Sequence, residues 1–242
     1  MRLMADNTRV LAAIAVLGLM LGLGLGGVGQ AQLLGPPPIP ARDAGKRVKK
    51  QRGDVEWLWQ YSPPPAEGRE HELIQDPHFL PFLQQNFGAP QSFWGPQAEG
   101  QRKTLAQTAY DFLTIPGKVL ADENRYITAT GSVFRFRSSR GLLFVDLNGT
   151  QPLAVFAAID WIRDSKTTDQ PDAEYTLWIF PNRVLGTELA PHSLPPPLQR
   201  SLIRWMAEPL PGSGIVERVT AAILVDPDGT PHQIAVPKEV GN

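Results

Sequence analysis

Trp57, Trp59 and Tyr61 occupy alternate positions in the run Asp54-Val55-Glu56-Trp57-Leu58-Trp59-Gln60-Tyr61, so an extended strand would place all three on one face. Pro63-Pro64-Pro65 ends the run. Turned outward, such a stripe is a platform for sugar rings or a proline-rich peptide; turned inward, it is core. The period then becomes helical. Asp76 suits an N-cap with Pro77 at the first helical position, Phe79, Phe82, Leu83 and Phe87 form one face, and Gly88 marks the stop. A second helix over 101–114 aligns Leu105, Ala109, Phe112 and Leu113, and Pro116-Gly117 ends it.

The centre of the chain changes period again. Strands are expected at 126–136, 142–147, 153–162 and 175–180, with Ser138-Ser139-Arg140-Gly141 and Asn148-Gly149-Thr150 as joints. Joints this short require antiparallel neighbours, because a parallel crossover needs a dozen or more residues. Over 198–208, Leu198, Leu202, Trp205 and Met206 return to helical spacing while Arg200 and Arg204 face away. Segments 216–225 and 233–236 flank Asp226-Pro227-Asp228-Gly229, a strong hairpin turn. The expected fold is one α+β domain over 54–242. It has a central antiparallel sheet, open or curled into a small barrel, with two or three short helices packed on it.

Ahead of this domain, Arg2 and Arg9 precede an apolar stretch over 10–28, and Gly29-Gln30-Ala31 puts small residues where a signal peptidase reads. Residues 1–31 are therefore expected to be a signal peptide, and the mature product to be periplasmic or secreted. A retained anchor is the other reading, since the run approaches the roughly 20 residues that span a bilayer. Residues 32–53 hold Pro36-Pro37-Pro38-Ile39-Pro40 and a basic cluster with almost no large apolar side chain, a composition that predicts an extended linker. Lys46, Arg47, Lys49 and Lys50 could also give weak attraction to an anionic surface.

With no cysteine, disulfides, thiolate metal sites and a cysteine nucleophile are excluded together. A formal net charge of −1 gives no electrostatic footprint for nucleic acid.

Several strings approach known chemistry and stop short. Asp226-Pro227-Asp228-Gly229-Thr230 after an apolar strand resembles the first motif of haloacid-dehalogenase-type phosphohydrolases, which would make Asp226 the nucleophile and Asp228 the general acid. That motif opens a doubly wound domain, and the dozen or so residues after Thr230 are too few for one crossover. His71-Glu72-Leu73-Ile74-Gln75 resembles the H-E-x-x-H helix of zinc metalloproteases, but Gln75 replaces the second histidine. Glu70, His71, Glu72, Asp76 and His78 still form a local group of potential ligands. Ser213 and His192 read as loop residues, and neither a nucleophile elbow nor a phosphate-cradling loop is present. No metal or cofactor is expected.

Ile127-Thr128-Ala129-Thr130-Gly131-Ser132-Val133, followed by the apolar segments around Asp146-Leu147-Asn148-Gly149 and Leu153-Ala154-Val155, resembles the opening meander of bacterial OB-fold binding segments. The resemblance implies a ligand-facing surface on or near Arg135, Phe136, Arg137 and Arg140.

The function expected is a non-catalytic binding or assembly module of the bacterial envelope. Its candidate contact residues are Trp57, Trp59, Tyr61, Trp94, Arg135 and Arg137, and its partner is a protein or an envelope ligand. The alternative is an envelope hydrolase drawing on Asp146, Asp160, Asp164 or His71.

Overall fold

Helical and two-residue periods alternate along the chain, and the structure, a computed structural model, turns them into helices on both faces of one sheet. It describes residues 55–61, 70–88, 103–148, 151–161 and 173–238. The expected signal peptide and linker, Trp94 and Asp164 lie outside the described residues. All the described residues fall in a unit from Arg47 to Asn242. No helix among them is long and apolar enough to cross a membrane.

A 3-10 helix at Glu56–Tyr61 leads to α1 (Glu70–Leu73), α2 (Phe79–Asn86) and α3 (Leu105–Phe112). Strands β1 (Ile115–Asp122), β2 (Tyr126–Val133), β3 (Phe136–Asp146), β4 (Leu153–Trp161) and β5 (Glu174–Pro181) follow. A small two-stranded arm, β6 (Gly186–Thr187) and β7 (Ala190–Pro191), precedes α4 (Pro196–Met206), β8 (Arg218–Val225) and β9 (Pro231–Ile234).

The main sheet has seven strands in the order β1-β2-β3-β4-β5-β8-β9. Its order has two ends, so the strands do not close into a barrel. The expectation of an antiparallel sheet is corrected at one joint: β8 lies parallel to β5. The chain between them runs through the arm and α4, a connection long enough for the parallel crossover that short joints forbid.

The two faces bury different clusters. In β3, Leu143 and Val145 join the cluster under the 3-10 helix and α1 to α3, while Leu142 and Phe144 join the one under α4. The period-two alternation of the strand sends neighbours to opposite faces. Covered on both sides, the segments Leu142 to Val145 of β3 and Leu153 to Ile159 of β4 read as continuous apolar runs.

The Trp57, Trp59 and Tyr61 stripe is corrected too: these residues form 3-10 helix, not strand. In a 3-10 helix, residues three apart eclipse. Val55, Leu58 and Tyr61 consequently share the inward side at 4, 1 and 5% exposure, and Trp57 and Trp59 stay half-buried.

Helix α3 starts on a capping box. Gln107 N donates to Thr104 Oγ1 at 3.2 Å, and Thr104 N donates back to Gln107 Oε1 at 3.1 Å. Thr104→Ala is expected to lower stability by about 1 kcal/mol, measured by urea unfolding; no change would mean that packing alone sets the start of this helix. The end of α3 lies directly on the sheet. A Cβ on Gly131 would stand 2.7 Å from Leu113 Cα, and one on its strand partner Gly141 would stand 2.8 Å from Phe112 Cβ. This glycine pair is the seat of the helix.

The expected joint Ser138-Ser139-Arg140-Gly141 is strand interior, and the actual turn is Phe134-Arg135 between β2 and β3. Ser138, Ser139 and Arg140 are buried there at 2, 4 and 5% exposure. Arg140 lies inside because Glu217 meets it: Nε donates to Oε2 at 2.6 Å, and Nη1 donates to Glu208 O at 3.1 Å. Its guanidinium stands 5.3 Å over the Trp205 ring.

Candidate functional site

Trp57 projects from the 3-10 helix toward α2, which is docked through Phe79, Phe82 and Leu83. The Trp57 ring meets Phe82 edge-on at 6.2 Å and Tyr61 edge-on at 6.3 Å, and His78 lies against it at 5.7 Å and 31°. Between this corner and the β4 and β5 ends lies a groove of about 400 Å³. Trp57, Pro81 and Phe82 give it an apolar wall, and Gln85, Gln151 and Asn182 give it neutral amides.

Asp76 organises the corner. Its Oδ1 accepts the backbone N–H of His78 at 2.8 Å, and its Oδ2 accepts the Tyr61 hydroxyl at 2.5 Å. Burial works against the ionised carboxylate, but these hydrogen bonds outweigh it and hold Asp76 below its ordinary value. Asn182 ties the far wall down: it donates to Asn86 Oδ1 at 2.7 Å and to Pro152 O at 3.0 Å, and its Oδ1 accepts Ala154 N–H at 3.2 Å. Hydrogen bonds thus tie both sides of the groove down. Among the described residues, His78 is the only titratable one that lines it, so it suits a neutral ligand.

Of the contact residues named from the sequence, Trp57 lines the groove. Trp59 packs half-buried against the core, and Tyr61 is buried and committed to Asp76. Arg135 and Arg137 stand apart at the exposed β2–β3 turn. Arg135 adopts φ 69°, its guanidinium lies 5.3 Å over the Phe134 ring, and Arg137 donates to Pro211 O at 3.1 Å. Arg140, expected near that surface, is in the core instead.

Of the carboxylates proposed for hydrolysis, the two among the described residues, Asp146 and Asp160, lie at opposite ends of the β3–β4 ladder. Asp146 receives both Arg125 Nε at 2.7 Å and Arg125 Nη2 at 2.6 Å, and caps Asn148 N–H at 3.0 Å. Asp160 accepts the Ser139 hydroxyl at 3.4 Å, and His71 is exposed on α1. Compared with known proteins, the chain matches no family model, no curated protein and no solved structure.

Two groupings escaped the sequence reading. One is the buried Arg140–Glu217 pair. The other brings His192, dismissed as a loop residue, against Asp226 and His232. His232 Nε2 lies 3.0 Å from Asp226 Oδ2, His192 Nδ1 lies 4.0 Å from the same oxygen, and the imidazoles stack at 3.7 Å. The hairpin register explains half of this. His232 pairs with Leu224 across the ladder, and Asp226, two residues beyond Leu224, shares its face. That half was legible, because the Asp226-Pro227-Asp228-Gly229 turn was.

Proposed function

We propose that this chain is an exported, non-catalytic binding module of the bacterial envelope, and that its ligand seat is the groove beside Trp57. One observation carries the reading: a half-buried tryptophan, fixed by three aromatic neighbours, walls a concave site of neutral amides. An indole face beside amide donors and acceptors matches a sugar, whose ring carries apolar C–H faces and equatorial hydroxyls. A charged ligand would find no fixed counter-charge among the lining residues except His78. Export rests on the basic, apolar and small-residue succession over 1–31.

Titration with N-acetylglucosamine oligosaccharides, followed by tryptophan fluorescence and calorimetry, tests the site. Saturable binding is expected, and Trp57→Ala should weaken it at least about tenfold, as loss of a buried aromatic anchor does. Gln151→Ala, which removes an exposed amide without touching the core, should weaken it less. Absence of saturable binding, or equal affinity of wild type and Trp57→Ala, rejects the groove as the seat. Cell fractionation with N-terminal sequencing tests export: a product beginning near Gln32 outside the cytoplasm is expected.

A further inference from the structure

The His192, Asp226 and His232 cluster has no part in the groove, and its chemistry is of another kind. Two imidazoles and one carboxylate present one ligand atom each, all within 4.8 Å of one another. Asp226 is only 8% exposed, and its Oδ1 is buried with no hydrogen-bond partner; His192 Nδ1 is likewise buried and unpartnered. A covered carboxylate oxygen and a covered imidazole nitrogen, both without hydrogen-bond partners, leave the cluster electrostatically incomplete. A cation seated among the three residues satisfies His192 Nδ1 and, where the carboxylate binds through both oxygens, Asp226 Oδ1 as well.

The backbone is built to hold this arrangement. His192 adopts φ 57°, a left-handed conformation uncommon outside glycine, and its N–H donates to Leu185 O at 3.0 Å. Gly186, at φ 97°, allows the β6–β7 arm to fold so tightly that a Cβ there would stand 2.4 Å from Ala190 O and 2.6 Å from His192 N. Leu185, 4% exposed, anchors the arm in the α4-side core. The arm thus carries one histidine to a hairpin that supplies the aspartate and the other.

We infer that His192, Asp226 and His232 form a binding site for one divalent transition-metal ion of the zinc type, which pins the β6–β7 arm to the end of the β8–β9 hairpin. Two imidazoles exclude magnesium and calcium as preferred occupants, because those ions take oxygen donors. Ligand bonds of about 2.0–2.2 Å would bring the donors to roughly 3–3.5 Å from each other. The 3.0 Å His232–Asp226 contact, a hydrogen bond without the ion, already has that spacing; the 4.0 Å His192–Asp226 pair and the two imidazole nitrogens, which lie within 4.8 Å of one another, reach it by movement of the His192 ring. Three protein donors leave a fourth position for water.

The test is calorimetric titration of the chelator-treated full chain with zinc chloride, in parallel with cobalt chloride followed by visible absorption. One zinc per chain is expected, with a cobalt spectrum of nitrogen and oxygen ligation, a rise in melting temperature on adding zinc, and no comparable effect of magnesium. His232→Gln and Asp226→Asn, the latter preserving shape, should each lower zinc affinity at least about tenfold. A His71→Ala, His78→Ala double variant removes the chain's other two histidines and should bind zinc as wild type does. Absence of saturable zinc binding overturns the inference. So does equal affinity in Asp226→Asn and wild type, or loss confined to the His71 and His78 variant. If Asp226→Asn fails to fold, the cobalt spectrum of the wild type and the His71, His78 result still decide.

Discussion

Glu217→Leu is expected to destabilise the protein by about 3–5 kcal/mol, and by more than Arg140→Met does at the same pH. Both residues are 5% exposed and meet at 2.6 Å. Removing either leaves the other without its hydrogen-bond partner and, above about pH 7 where Glu217 is ionised, without its counter-charge as well, but the two orphans differ. A stranded glutamate can take up a proton and become neutral, whereas an arginine cannot shed its charge. The asymmetry should widen as pH falls, because acid rescues Arg140→Met and does nothing for Glu217→Leu. Urea unfolding of both variants between pH 5 and 8 measures it. Equal losses at every pH would mean that water reaches the pair and that burial does not set its energetics.

The same carboxyl makes the wild type's own pH dependence run backwards for a carboxylate. Burial pushes Glu217 from its ordinary 4.5 up to about 7, against the pull of Arg140. Between those values the folded chain holds a proton that the unfolded chain has lost. This group's contribution therefore favours folding fully below about pH 4.5 and is lost as pH rises through about 7. Glu217→Gln removes the titration, so its stability should vary less than that of wild type across this window.

Phe156→Ala should cost about 3–5 kcal/mol, the usual range for deleting a fully covered phenylalanine from a core. Phe156 is 0% exposed. Its ring stacks on Phe180 at 5.8 Å and takes the edges of Phe112 at 6.1 Å and Phe87 at 6.2 Å. One side chain on β4 thereby touches the ends of α2 and α3 and the neighbouring strand β5. The resulting void has backbone on the sheet side, which cannot collapse to fill it. Denaturant unfolding should show a lower midpoint with an unchanged slope. A loss below about 1 kcal/mol would show that the helices slide inward and reseal the face. That outcome would contradict the fixed seat that Gly131 and Gly141 give α3.

What the sequence determined by itself is local. The stripes Phe79, Phe82, Leu83 and Leu198, Leu202, Trp205 are buried as their spacing requires, because helical periodicity is a property of neighbours in the chain. The Asp226-Pro227-Asp228-Gly229 hairpin formed where its turn chemistry lies, with Gly229 at φ 89°. The setting of Trp57 was not legible: the two-residue alternation of Trp57, Trp59 and Tyr61 suits a strand, whereas the 3-10 helix that forms follows the three-residue spacing of Val55, Leu58 and Tyr61. Tertiary structure decided the rest, through partners distant in the chain. Ser138, Ser139 and Arg140 read as a turn until Glu217, 77 residues away from Arg140, makes burial of that charge tolerable. The parallel pairing of β8 with β5 depends on α4 folding back over the sheet, which no local period encodes. His192 is an ordinary loop residue by sequence and becomes a ligand candidate only when the β6–β7 arm sets it against Asp226 and His232. Side-chain chemistry is written in the chain; which groups meet is set by packing.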